Sequence, residues 1–175
     1  MSSSPAAADP ATVLGRFVVV PASYVFLLRG PEDGPGTEVL LQRRRNTGFM
    51  DDHWAAGAAG HVERGETAPA AAGREALEEI GVEVGDLAFV TAMQRTRGDK
   101  PIDERIDFFF SCRDWQGEPR VTEPEKSGGL TWCRLDSLDS LDGPVVPHER
   151  AVLEALRDGT ATAYSTHGFP EEDPR

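Results

Sequence analysis

Between Gly60 and Val82 the chain reads GHVERGETAPAAAGREALEEIGV, and this stretch restricts fold and chemistry more tightly than any other. Thr67 suits an N-cap, Pro69 suits the first helical turn, where its missing N–H costs nothing, and Gly81 suits the left-handed C′ position. A helix is therefore expected between Thr67 and Gly81. Gly73, Ala76, Leu77 and Ile80 recur at i, i+3, i+4 and i+7, the spacing of a buried stripe. Glu75, Glu78 and Glu79 recur at i, i+3 and i+4, so they project into one sector of roughly 100° on the other face.

Three like charges at that spacing repel, each pair by a few tenths of a kcal/mol, on the order expected for an exposed helix. A divalent cation reverses the sign of that interaction. Carboxylate oxygens suit Mg²⁺ or Mn²⁺ and not Zn²⁺, which prefers His and Cys. Arg74 stands beside Glu75 and one turn before Glu78, placed to orient a carboxylate, and Glu66 is placed to engage that Arg or the metal's surroundings. The plain alternative is a solvated helix face, which three Glu alone would favour.

The full spacing favours the metal. Gly60, Glu66, Arg74-Glu75, Glu78-Glu79 and Gly81 make seven fixed positions, a pattern that chance would supply on the order of once in 10⁵ chains of this composition. It resembles the signature box of Nudix hydrolases, with Ala76 and Val82 in the two hydrophobic slots. Ala76 is smaller than that family's usual residue, and Ala55-Ala56-Gly57-Ala58-Ala59 replaces its usual Leu-Pro-Gly-Gly type of turn. The resemblance implies an α/β fold, a mixed β-sheet sandwiched between helices (α/β/α). It also implies metal-assisted attack of water on a diphosphate linked to a nucleoside. Glu78 and Glu79 are then the principal ligands, Glu75 a ligand or general base, Arg74 its orienting partner, and the Ala59 backbone carbonyl a further ligand. Glu66, Glu123 and Glu125 are additional candidates, the last two because this family often recruits a carboxylate from outside the box.

At 175 residues the chain is expected to form one domain over 14–159, flanked by a disordered tail at 1–13 and a frayed tail at 160–175. The first segment is rich in Ser, Ala and Pro, with neither a basic start nor an apolar run, so neither a signal peptide nor a membrane span is expected there. Cys112 and Cys133 lack metal or redox spacing and read as buried thiols of a cytoplasmic protein. Strands are expected at Arg16–Leu28 with a break at Pro21, at Glu38–Gln42, from Gly60 to Val62, at Leu87–Arg95 and Ile102–Arg113 as a hairpin, and at Leu130–Leu135. Residues 46–57 and 116–129 read as loops, and Pro147–Asp158 as a helix with Val152, Leu153 and Leu156 inward. Trp132 and the run Phe108-Phe109-Phe110 read as core.

A net charge of −12 argues against nucleic acid or an anionic membrane as partner. A small nucleotide substrate still needs local cations, for which the run Arg43, Arg44 and Arg45 is the source, with Arg43 and Arg45 singled out because alternate strand residues share a face, and His53 beside the turn into the box. A nucleoside triphosphate, oxidised forms included, is the first expected substrate, and ADP-ribose or a nucleotide sugar the second. A ligand-binding module of the same fold without catalysis is the alternative of another class. The protein is expected to be a monomer or homodimer.

Overall fold

The computed structural model describes residues 12–13, 16–32, 34–98 and 100–170. Its strands are β1 (Thr12–Val13), β2 (Arg16–Phe17), β3 (Val20–Arg29), β4 (Glu38–Arg44), β5 (Trp54–Ala56), β6 (Ala58–His61), β7 (Glu83–Val84), β8 (Leu87–Arg95), β9 (Arg105–Cys112), β10 (Trp115–Gln116), β11 (Ser127–Arg134) and β12 (Tyr164–His167). The helices are α1 (Ala68–Ile80) and α2 (Pro147–Asp158). The main sheet runs β11-β4-β3-β9-β8-β12, with β5 added to β4 and β6 to β3. It is mixed: β3 runs parallel to β9 and β12 parallel to β8, while the other pairs are antiparallel.

Alternation along the strands divides the core into two layers. Val25, Leu27, Leu40, Phe110 and Cys112 face α1 through Ala72, Ala76 and Ile80. Tyr24, Phe26, Val39, Leu41 and Phe109 face the other way, onto Val152 and Leu153 of α2. The sheet thus lies between two helices, the expected α/β/α arrangement.

Helix α1 has the expected ends. The Thr67 hydroxyl accepts from the Ala70 N–H at 3.3 Å, and Gly81 is left-handed at φ 69°. Its buried face is rotated from the expected one: Ala71, Ala72, Ala76 and Ile80 are buried, and Leu77 is 52% exposed. The alanines let the helix approach β3 closely enough for Ser23 Oγ to donate to the Ala68 carbonyl at 2.7 Å, and the bulkier Leu77 falls outside that contact.

Four further expectations are corrected. Pro21 does not break its strand, because β3 runs through it beside Ile106 of β9. Trp54–Ala56, expected as loop, is a buried strand on β4. The segment before β11, expected as an exposed connection, docks on the C-terminus of α1. There Arg120 N–H donates to the Ile80 carbonyl at 3.0 Å, Thr122 N–H to Glu79 at 3.2 Å, and the Thr122 hydroxyl to Glu78. Tyr164–His167, expected as frayed tail, is the edge strand β12, with main-chain pairing along β8. The expected tail at 1–13 lies outside the described residues except for Thr12 and Val13, which pair with β2. Helix α2 has the expected bounds, both cysteines are buried free thiols, and Trp132 is half-buried, stacked on Trp115.

Candidate active site

Arg74 is the hub of the acidic face. Its Nε and Nη2 fork onto the two oxygens of Glu66 at 2.9 and 3.0 Å, and Nη2 also donates to the His61 carbonyl at 3.0 Å. Its Nη1 reaches Glu75 Oε1 at 2.7 Å and Glu78 Oε2 at 3.2 Å. The bidentate fork fixes the guanidinium plane, so Arg74 becomes a rigid post against which Glu75 is aimed. Glu66 receives a further bond from the Glu63 N–H, and Arg74 followed by this bond holds its carboxyl below the ordinary range.

Glu75 lies directly against the backbone at Gly60. A Cβ at that position would fall 1.9 Å from Glu75 Oε1, so the carboxylate occupies the space a side chain would need. Burial raises the Glu75 carboxyl despite Arg74 beside it. Glu79 accepts from the Ala59 N–H at 2.9 Å. Its carboxyl is pushed up to about 7, first by burial and then by Glu75 and Glu123, against the opposing Ala59 bond.

The donor set is chemically suited to a hard divalent cation. Three carboxylates stand on one helix face, and Glu79 is desolvated next to further negative charge, a cost that a bound cation would offset. Among the described residues no three carboxylates, His or Cys converge on one point, because Glu75 and Glu78 share the Arg74 guanidinium. The Ala59 carbonyl is available to the same region. Val62 N–H bonds the Pro21 carbonyl, so the β3–β6 ladder leaves Ala59, opposite Tyr24, as a non-bonded pair whose N–H and C=O both point away from β3.

Two cavities meet beside this face. A cleft of about 530 Å³ is lined by Tyr24, Phe49, His61 and five cationic residues, Arg44, Arg95, Arg97, Lys100 and Arg105. A smaller one of about 200 Å³ is lined by Glu79, Glu123, Lys126 and Gln42. Arg44, Thr47 and Ala59 line both, so the cationic cleft and the cavity beside Glu79 and Glu123 are neighbours. Asp107, fully buried, holds Arg95 at 2.6 Å and Arg105 at 3.2 Å. Buried Glu149 of α2 also lines the cleft; it accepts from the Ala56 N–H at 2.5 Å, and burial pushes its carboxyl up to about 7.

The structure brings together Arg74, Glu75, Glu78, Glu79, Glu66 and Ala59, and adds Glu123 beside Glu79. Glu125 is not brought in: it is exposed and offers its backbone carbonyl to Asn46. Arg43 turns to the other face of β4, paired with Asp142 at 2.8 Å and lying over Trp54. Arg45 is exposed, and His53 bonds the Asp51 carbonyl outside both cavities. Arg44 between them faces the site. Alternation along a strand made one of these two sets correct, and only the sheet register decides which. Arg95, Arg105 and Glu149 carry no sequence motif, and a strand-borne Arg or a helical Glu gives no signal of its own.

The NUDIX domain profile matches residues 20–156. The fold is similar to that of a MutT NUDIX hydrolase from Burkholderia pseudomallei, at 24% identity and TM-score 0.61, covering 77% of this chain and 96% of the other. It is similar to the E. coli ORF135 protein at 24% identity and TM-score 0.59, covering 82% and 92%. A mutator MutT protein from Bacillus halodurans matches at 21% identity and TM-score 0.61, covering 85% and 88%. With the profile spanning most of the chain and the signature residues gathered around Arg74, this protein belongs to the Nudix hydrolase family.

Proposed function

We propose that the protein is a Mg²⁺- or Mn²⁺-dependent pyrophosphohydrolase acting on a nucleoside diphosphate linked to another group, with nucleoside triphosphates, oxidised ones included, as the first substrates to test. The observation that carries this reading is a cationic cleft that shares Arg44, Thr47 and Ala59 with a cavity lined by the desolvated Glu79 and by Glu123. Cations along the cleft offset the charge of a polyphosphate and position it. Glu78 and Glu79, with the Ala59 carbonyl, are the residues that would hold the metal, and Glu66 and Glu123 support them. The ion, when bound, supplies charge neutralisation and a more acidic water. Glu75, locked by Arg74 and Gly60, serves as ligand or as the base that takes the proton from the attacking water. Arg44 lines both cavities, where its charge would offset that of the diphosphate.

Among the described residues no helix is long and apolar enough to cross a membrane, and two buried free thiols suit a reducing compartment. A cytoplasmic enzyme of small-molecule nucleotides fits both. The test is release of phosphate or pyrophosphate from nucleoside triphosphates, dinucleoside polyphosphates and ADP-ribose, with Mg²⁺ and with EDTA, in wild type and Glu79→Gln. Metal-dependent turnover lost by orders of magnitude in Glu79→Gln is expected. Near-normal turnover in that variant would refute the assignment.

A further inference from the structure

We propose that the end of the 530 Å³ cleft remote from Glu79 is a second anion site, selecting substrates that carry a phosphate of their own on the group beyond the scissile diphosphate. The inference rests on the pyrophosphohydrolase reading and names the substrate class within it.

The cations divide by position. Arg44 lines both cavities and serves the diphosphate, whereas Arg95, Arg97, Lys100 and Arg105 line only the large cleft, Arg97 and Lys100 from the β8–β9 connection. Arg95 and Arg105 are held by the buried Asp107, with Arg105 Nη1 also 3.1 Å from His61 Nε2. Among the described residues neither Arg97 nor Lys100 makes an ion pair. Both are exposed and line a cavity large enough for a nucleotide-sized group, where an incoming anion can reach them. The acidic residues of the lining are Asp103 and Glu149, the latter buried and engaged with the Ala56 N–H.

The aromatic rings of the cleft point to the same conclusion. Tyr24 is stacked on Phe109 at 4.5 Å. The Arg97 and Arg44 guanidinium groups lie over the Phe49 ring at 4.7 and 5.4 Å. Rings that would serve as a platform for a base are already engaged, while an Arg that stacks by its face keeps its in-plane N–H groups for a phosphate. In a chain of net charge −12, this concentration of positive charge in one cleft is a local device for reading anions.

The test uses two matched pairs that differ only in a remote phosphate: NADH with NADPH, and GTP with guanosine 5′-triphosphate 3′-monophosphate. Binding is measured calorimetrically in EDTA and hydrolysis in Mg²⁺, for wild type and for the double variant Arg97→Gln, Lys100→Gln. The phosphorylated member of at least one pair is expected to bind about tenfold tighter or better, with a parallel gain in kcat/KM, and the double variant is expected to bring that pair to parity. Equal affinities in the wild type, no saturable binding of either member, or a preference that survives the double variant would each overturn the second anion site. The two readings fail separately. Hydrolysis without preference removes the anion site and leaves the enzyme, whereas a binding preference with no hydrolysis here or across the nucleoside triphosphate, dinucleoside polyphosphate and ADP-ribose panel supports the anion site and refutes the enzyme.

Discussion

Gly60 is legible in the sequence only as a fixed glycine, and its reason is visible only in three dimensions: the Glu75 carboxylate fills the place of its side chain. Gly60→Ala should fold, since the obstructing group is the tip of a flexible side chain, and should move Glu75 off its post on Arg74. Turnover is expected to fall about a hundredfold, as for a misplaced reacting group, with the urea midpoint shifted little. Unchanged turnover would show that the position of Glu75 does not matter. Glu149 carries a different prediction. Burial keeps it protonated up to about 7 in the fold, whereas the unfolded chain releases that proton near the ordinary carboxyl value. Between those limits the folded state binds more protons, so this group lowers stability as pH rises. Glu149→Gln, whose amide oxygen can still accept from Ala56, removes the effect. Its stability relative to wild type should then grow by up to about 1.4 kcal/mol per pH unit from about pH 4.5 to 7. His148, held neutral down to about 2 by burial first and Arg95 next, has the opposite slope below its ordinary value and cancels in the comparison. Urea unfolding at stepped pH checks this, and a difference that stays flat would mean that Glu149 is ionised throughout.

Helices were the elements most legible from sequence, because their ends are chemical. Thr67 and Gly81 cap α1, while α2 opens with Pro147 in its first turn and is capped by Gly159, all signals that act within a few residues. Which face of α1 is buried was less legible, since small alanines and Leu77 compete for the sheet and close approach favours the alanines. Short strands were not legible. Trp54–Ala56 is three buried residues with no room for alternation, and β12 is a polar segment whose partner, β8, lies far away in sequence. Yet β12 is well tied: Tyr164 donates to Gln94 at 2.9 Å, the Ser165 and Thr91 hydroxyls meet at 2.9 Å, and Thr96 N–H bonds the His167 carbonyl at 3.1 Å. Truncation after Ala163 removes these bonds and bares the β8 edge. At about 1 kcal/mol net per lost bond the cost is about 2 to 4 kcal/mol, with increased self-association from the open edge. Urea unfolding and light scattering measure both, and an unchanged midpoint would show that β12 contributes no stability.

On the scale of the whole molecule, two charge distributions compete for the substrate. The net −12 of this 19.0 kDa chain repels a polyphosphate from every side, while Arg44, Arg95, Arg97, Lys100 and Arg105 attract it at one place. The net charge was legible in the composition. The cleft was not, because β4, β8, β9 and the β8–β9 connection supply its cations from distant parts of the sequence and only the sheet order brings them together. Which distribution wins follows from distance. The diffuse charge acts through solvent that screens it over about 8 Å at 0.15 M salt. The cleft cations act near contact, where a pair is worth about 1 kcal/mol in water and more when partly desolvated. Binding should therefore be governed by the cleft, and added salt should weaken it. KM for a nucleoside triphosphate at saturating Mg²⁺ is expected to rise severalfold between about 20 and 200 mM KCl, a range over which the screening length shortens from about 20 to 7 Å. Arg44→Gln, which removes the one cation common to both cavities, should raise KM at low salt and flatten its rise. A KM that falls with salt would mean that the diffuse negative charge dominates the encounter, and that the cleft does not hold the phosphates.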